Sequence, residues 1–402
     1  MPVDLTKLPQ QQPALQPFSW WFWAILLLAF VIIGCLTTFI LSFFYSISNL
    51  FFVLGALILP VVIWGFTFLC GIYYRGYREA YIKKWNLYRQ TRRQQLIDYA
   101  RRALYVLDYS VITEHGESGN SNGVVSNQYA VVAKRPSNGS SPIPHSALAV
   151  PINLTRNDFY QRLLILFKQW QEKYQLQFSQ LPIDLKIHVR LFIDTPVKID
   201  NLDIIWLKTL GTIIKPTSFS TEDTRNCSTF TEQWLDNSEH DDDLLLVINT
   251  HLFNLPTLNE AESAILILFA GENAIKATSL ANYQHPFAKV YRAEQTDKLN
   301  QTIDNAILWG DVDNKAYDGV WYSSVTTEQN IEIMNYFNSI KFEYDAIYNI
   351  DNSIGNTKYS AYFLALVLAI ENTLKTQNKQ LVMVSEPKLT ASVVTSKIRE
   401  QK

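Results

Sequence analysis

Between Lys7 and Arg75 the chain carries no Asp, Glu, Lys, Arg or His, and the apolar residues of that stretch fall into two long runs. The first is Trp20–Phe44 (WWFWAILLLAFVIIGCLTTFILSFF) and the second is Phe51–Tyr74 (FFVLGALILPVVIWGFTFLCGIYY), parted by the polar turn Tyr45-Ser46-Ile47-Ser48-Asn49. A helix needs roughly 20 apolar residues to cross the hydrocarbon of a bilayer, so each run predicts a transmembrane helix and the pair predicts a hairpin. A cleaved signal peptide has a basic start and a single apolar stretch of about 7–15 residues, which two long runs do not fit. Trp20, Trp21 and Trp23 at one end of the block and Tyr73 and Tyr74 at the other suit the aromatic belts of a membrane interface. Pro60 predicts a kink in the second helix.

After the block the pattern changes. Tyr77 to Leu107 has helical spacing without Pro or Gly, and two turn-rich pieces, Glu114–Gln128 and Arg135–Ser146, flank a strand candidate at Tyr129–Ala133. From Asp158 the helical and strand periods alternate. A helix (DFYQRLLILFKQWQEKYQ) leads to a strand at Leu185–Ile193, then helices at Ile204–Leu210 and Phe230–Leu235. Strands follow at Leu244–Asn249, Ser263–Phe269 and Ala288–Ala293, helices at Thr296–Leu308 and Ile331–Phe337, a strand at Ala346–Ile350, a helix at Tyr359–Leu374 and a strand at Leu381–Ser385. This order predicts a layered α/β domain. The expected organisation is a cytoplasmic tail (1–19), a transmembrane hairpin (20–74), a basic juxtamembrane helix (75–110), a loop-rich linker (111–157) and the α/β domain (158–402).

Charge gives the hairpin a direction. Arg75, Arg78, Lys83, Lys84, Arg89, Arg92, Arg93, Arg101 and Arg102 are opposed only by Glu79 and Asp98, and the turn between the spans has no basic residue. The positive-inside rule then places both termini in the cytoplasm of a multi-pass inner-membrane protein. The basic stretch, with Tyr77, Tyr81, Trp85 and Tyr88 interleaved, suits a helix touching anionic headgroups, so the lipid bilayer is the expected partner. A net charge of −2 and a pI near 6.3 argue against nucleic acid.

The chemistry-bearing residues form no recognised motif. Three cysteines, Cys35, Cys70 and Cys227, cannot build a disulfide framework, and two of them lie inside the apolar runs. The histidines, His115, His145, His188, His240, His251 and His285, are scattered, with no pair at the i, i+4 spacing of a zinc-protease helix. His188 reads as a satisfied imidazole on an apolar strand, and Glu239-His240-Asp241-Asp242-Asp243 as a solvated loop, so neither a metal nor a cofactor is expected. The glycine patterns of P-loops, dinucleotide folds and serine-hydrolase elbows are absent.

In order and pattern, Asp158 to Ser385 resembles the thiolase-like fold of β-ketoacyl synthases. The stretch Glu222-Asp223-Thr224-Arg225-Asn226-Cys227-Ser228-Thr229 is similar to that family's nucleophile loop, and LLLVINTHLF followed by AESAILIL is similar to the two apolar strands after it. Asp351-Asn352-Ser353-Ile354-Gly355-Asn356-Thr357-Lys358 stands where the family has its glycine–histidine tandem. The resemblance implies a nucleophilic cysteine at Cys227 and two histidines that stabilise the developing enolate and oxyanion. Asn356 stands in place of one of these, and after a strand at Ala306–Trp309 the other is replaced by Gly310-Asp311-Val312. Tyr359 and Tyr362 replace the glycines beside the acyl channel. Cys227, Asp311 and Asn356 are therefore vestigial candidates, and the resemblance implies a pseudoenzyme.

A membrane hairpin followed by YRGYREAYIKKWNLYRQ, the Thr231–Asp236 helix before LLLVIN, and AESAILILFAGENA resembles the accessory membrane proteins of bacterial type VI secretion clusters. That resemblance implies an adaptor that binds secretion components or an effector at the cytoplasmic face. Two other functions fit the same features: an immunity protein that blocks a membrane-acting toxin through the hairpin, and a membrane-tethered acyl transferase using Cys227. Thiolase-like domains commonly dimerise through a strand near the nucleophile, so a homodimer is also implied.

Overall fold

The computed structural model describes all residues except 1, 2, 4, 47, 140, 183, 277–286, 311–315 and 398–402. The chain divides into two compact units, Asp4–Leu96 and Ile97–Lys402, the latter joined by Met1–Val3.

The first unit is helical. Helix α1 spans Trp20–Phe44, and a second helical stretch runs through α2 (Asn49–Val53), a π-helical turn (Leu54–Ile58) and α3 (Leu59–Ala100). Both are long and apolar enough to cross a membrane, and most of their apolar side chains are exposed. The π turn explains what happens at Pro60. Proline lacks an N–H and its ring collides with the carbonyl four residues back, here Ala56, and the wider turn relieves both problems. The distortion expected at Pro60 thus takes the form of one π turn. Against it α1 packs closely through small residues: a Cβ on Gly34 would stand 2.2 Å from Pro60 Cγ, and one on Gly55 2.8 Å from Thr38 Oγ1. Trp64 Nε1 donates to the Trp23 carbonyl at 3.0 Å, and Trp64 stacks on Phe68.

The second unit is a mixed α/β domain. Its strands, in chain order, are β1 (Ala103–Ile112), β2 (Ala133–Lys134), β3 (Ile143–Ser146), β4 (Ile187–Asp194), β5 (Ser218–Thr221), β6 (Leu244–His251), β7 (Glu260–Ala261), β8 (Ser263–Ala270), β9 (Phe287–Tyr291), β10 (Glu294–Gln295), β11 (Tyr317–Ser323), β12 (Tyr344–Asn349), β13 (Lys379–Ser385) and β14 (Leu389–Lys397). Its helices are α4 (Asn120–Val125), α5 (Phe159–Ser179), α6 (Leu202–Leu207), α7 (Cys227–Asp236), α8 (Glu272–Lys276), α9 (Leu299–Gly310), α10 (Thr327–Ile340), α11 (Ile350–Ser353) and α12 (Ala361–Thr376). The main sheet has the order β12-β11-β13-β14-β9-β1-β8-β6-β4-β5, with β10 on β14. Pairing is parallel at both ends (β11 with β12 and β13, β4 with β5 and β6) and antiparallel through the middle.

The strand period of two sorts the core into faces. Leu245 and Val247 of β6, Ile265, Ile267 and Phe269 of β8, and Val382 and Val394 meet α7 and α12. Leu244, Leu246, Ile248, Leu266 and Leu268 point the other way, onto α5 and α6, while Leu381, Met383 and Val393 meet α9 and α10. Helix α5 shows the matching stripe, burying Phe159, Leu163, Phe167, Trp170, Tyr174 and Phe178. Helix α12 is buried all round from Ala361 to Ile370, which explains why its sequence is apolar without a polar face.

Several elements differ from expectation. The helix expected over Tyr77–Leu107 ends at Ala100, and Ala103–Leu107 belongs to β1, near the middle of the sheet. Here five successive positions, Ala103–Leu107, are buried, so sheet pairing on both sides overrides the helical spacing. Of the strand expected at Tyr129–Ala133, only Ala133 belongs to a strand, β2. Ala306–Trp309 is the end of helix α9, not a strand, because Ile303, Ala306 and Trp309 form one buried helical stripe.

Candidate functional site

The two ends of the apolar block come together at one end of the hairpin. A Cβ on Gly71 would stand 2.5 Å from the Trp23 ring, and Phe22, Trp23, Tyr74, Arg75 and Arg78 line one pocket. Trp20, Trp21, Tyr73 and Tyr74 are all more than half exposed. Lys83 pairs with Glu79 one turn away at 2.8 Å, and Lys84 lies beside it on α3. Several polar groups of this helix also hold the segment before α1. Arg75 Nη2 donates to the Gln16 carbonyl (2.6 Å), Trp85 Nε1 to that of Gln10 (3.1 Å) and Arg89 Nε to that of Pro9 (2.7 Å), while Asn86 and Gln12 exchange two hydrogen bonds at 3.0 Å. Sequence reading assigned this stretch to lipid alone and missed the segment it binds.

In the α/β domain, Cys227 opens α7. Its thiol is 2% exposed, and Asn249 Nδ2 lies 3.7 Å from Sγ. A helix N-terminus ordinarily favours a thiolate. Here burial comes first, and the negative charges of Asp194, Glu386 and Asp223 add to it, so the thiol is pushed well above its ordinary range. Tyr362, fully enclosed and 3.3 Å from Thr231 Oγ1 through its hydroxyl, packs in the same core. Its ring occupies space in the interior, whereas Tyr359, expected to fill space in the same way, is exposed.

The turns 224–226 and 358–360 pack together, which brings the Cys227 and Asn356 segments to one end of the sheet. Asn356 is committed to local structure: Nδ2 donates to Ser324 Oγ (3.0 Å), Oδ1 accepts from Lys358 N (2.7 Å), and its backbone bonds Asn259 and Ala261. Gly355 has φ +113°, and a Cβ there would stand 2.7 Å from that of Ala261, so glycine is required. Asp311 lies outside the described residues.

Beside Asn356 is a polar cleft of about 370 Å³ lined by Thr257, Glu260, Asp351, Lys358 and Glu386. Behind it, His251 is held between two carboxylates, Nδ1 2.7 Å from Asp194 Oδ2 and Nε2 3.1 Å from Glu260 Oε1. Burial opposes a charged ring, but the hydrogen bonds and charges of both acids outweigh it and raise the imidazole above its ordinary value. Glu260 also takes Lys358 Nζ at 2.5 Å and Thr257 N at 2.6 Å; despite burial, these partners hold it well below the carboxylate range. Both ring nitrogens of His251 thus face carboxylate oxygens. These residues are far apart in sequence and carried no motif, so only the fold reveals them.

Glu386 is the exception in the cleft, with Oε2 unpartnered. Burial first, then repulsion from Asp351, lifts its pKa to about 7. A carboxyl whose folded pKa is raised contributes stability below its unfolded value, and this is lost as pH rises through the folded one. The wild type is therefore expected to lose stability between about pH 4.5 and 7. Glu386→Gln should remove that loss, leaving the variant more stable at pH 8 by about 1–3 kcal/mol, partial solvent screening included, and equal to wild type at pH 4. Urea denaturation at the two pH values checks this; equal midpoints at pH 8 would contradict it.

Two further histidines assemble elsewhere. His188, His240 and Asp243 bring three potential ligand atoms within 4.8 Å of one another.

No family model and no curated protein matches the sequence. Solved structures that are similar to it include the ishigamide ketosynthase/chain length factor (12% identity, TM-score 0.45, covering 73% of this chain and 99% of that one). Others are human mitochondrial 3-ketoacyl-CoA thiolase in complex with CoA (8%, 0.44, 74% and 99%) and the dimeric peroxisomal thiolase of Saccharomyces cerevisiae (6%, 0.46, 74% and 98%). At these values the likeness is one of general course, and the chemistry is judged from this chain's own residues.

Proposed function

We propose that this protein is a noncatalytic membrane adaptor: the hairpin anchors it in a bacterial inner membrane with both termini cytoplasmic, and the α/β domain binds a protein partner. The observation that carries the reading is the enclosure of Cys227, a buried thiol whose pKa is raised by burial first and then by the charges of Asp194, Glu386 and Asp223. A nucleophile needs the thiolate and a route for substrate. The polar group nearest Sγ is the Asn249 amide at 3.7 Å, while Asn356 and His251 are engaged in hydrogen bonds with other partners. Resemblance to the accessory proteins of type VI secretion clusters names the system in which the partner is sought, a secretion component or an effector.

The test is purification of the full-length protein from its native membrane in mild detergent, with mass spectrometry of what accompanies it, beside Cys227→Ser. Secretion baseplate, spike or effector proteins retained equally by both versions are the expected result. Acyl carrier protein, or an acyl adduct lost with Cys227, would restore an enzyme.

A further inference from the structure

The acidic stretch Glu239–Asp243, read from sequence as a solvated loop, folds into a 3-10 turn (Ser238–Asp242) that sets His240 and Asp243 against His188 of β4. Asp243 is buried, 6% exposed, and its Oδ2 lies 3.1 Å from His188 Nε2 and 3.2 Å from His240 Nδ1. Two imidazole nitrogens thus converge on one carboxylate oxygen, from elements far apart in the chain.

The two nitrogen–oxygen separations match edges of a tetrahedral ion's ligand shell, and the two nitrogens lie within 4.8 Å of each other. With metal–nitrogen and metal–oxygen bonds of about 2.0–2.2 Å, the edges of the tetrahedron are about 3.3 Å. The second shell is also in place. His188 Nδ1 meets Ser218 Oγ at 2.6 Å, and that oxygen accepts from Arg190 Nη1 at 2.9 Å, so a ring donating from Nδ1 turns its Nε2 lone pair toward the cluster. The His240 ring stacks on Trp234 with centroids 3.7 Å apart and planes 9° from parallel, which fixes its orientation. His240 keeps 23% of its side chain exposed, giving an ion a way in. Of the cations nearby, Arg190 is offset by Glu222 at 3.4 Å and Arg102 by Asp241 of the turn, and Glu239 and Asp242 on the turn add negative field.

We propose that His188, His240 and Asp243 form a binding site for a divalent transition-metal ion of zinc chemistry, with water in the fourth position. Two imidazoles and a carboxylate suit zinc and its neighbours better than the oxygen-preferring calcium or magnesium. Binding requires His240 to present the Nδ1 lone pair, and Asn237 Nδ2, 3.4 Å from Nε2, must then give way. The ion would tie the turn to β4. Because Asp241 of that turn holds Arg102, immediately before β1, the clamp would also secure the start of the sheet's central strand.

The test uses the full-length protein in detergent, stripped with a chelator and dialysed, with Co²⁺ and then Zn²⁺ as probes. One equivalent of Co²⁺ with the visible bands of tetrahedral coordination, displaced by Zn²⁺, is expected. The same signal should persist in a Cys35→Ser/Cys70→Ser/Cys227→Ser variant, which excludes thiol ligation, and in His115→Gln. It should be lost in His188→Gln and in His240→Gln. His240 lies on a partly exposed turn, so an unchanged metal-free thermal transition in His240→Gln shows that the loss is not unfolding. Absence of a bound equivalent in the wild type, or its survival in a folded His240→Gln, would overturn the assignment.

Discussion

Replacing Arg162 by leucine is expected to cost the α/β domain about 3–5 kcal/mol, because it strands a carboxylate that has no access to water. Glu262 is fully buried beside β8, and its charge is compensated from all sides. Oε2 accepts from Arg162 Nη2 at 2.7 Å, Arg156 Nη1 at 3.3 Å and Leu148 N at 2.9 Å, while Oε1 accepts from Phe253 N at 3.0 Å. Arg162 makes the shortest of the ion pairs and is itself buried on α5, whereas Arg156 is more exposed and reaches less closely. Losing Arg162 leaves two amides and a distant guanidinium to hold the charge. The double variant Arg162→Leu/Glu262→Leu should recover part of the loss, since removing both charges also removes the desolvation penalty. Pulse proteolysis across a urea series, with the hairpin in detergent, measures both. A loss below about 1 kcal/mol in the single variant would mean that water reaches Glu262 after all.

The second large effect is kinetic and bears on the proposed function. In a Cys35→Ser/Cys70→Ser background, a small maleimide is expected to modify Cys227 at least about 100-fold more slowly in the native protein than in urea. Two causes combine: the thiolate is scarce, and the sulfur is enclosed by α7 and the sheet. Labelling should then follow domain opening, so that variants which destabilise the fold, Arg162→Leu among them, accelerate it. Fast labelling of the native protein would mean a reachable thiol, and the noncatalytic reading would fall.

What the sequence disclosed followed the strength of the burial pattern. Strands β4, β6 and β8 and helices α5 and α12 are apolar enough on their buried faces to be seen without their neighbours, as are the two long helices of the first unit. Strand β1 was hidden because its residues follow directly on Arg101 and Arg102 and continue a helical spacing. The edge strand β5 (SFST) and the last strand β14 (LTASVVTSK) were missed for another reason: small polar residues alternate in them, and only pairing with neighbours makes them strands. At the candidate site, the position of Cys227 was legible but its enclosure was not. The partners of His251 and the meeting of His188 with His240 depend on contacts between strands, which no local pattern records.

The place of β14 has a consequence for how the protein is made. It lies between β13 and β9, and among the described residues it is the only strand joining the parallel group β11, β12 and β13 to the rest of the sheet. It is also the last of the sheet's strands to be translated. Until Leu389–Lys397 leaves the ribosome, the two portions of the sheet have no ladder between them, and α12 faces a surface that is still divided. Completion of the sheet is thus a late step, governed by contacts between residues distant in the chain, with unpaired edges at β9 and β13 open to chaperones in the interval.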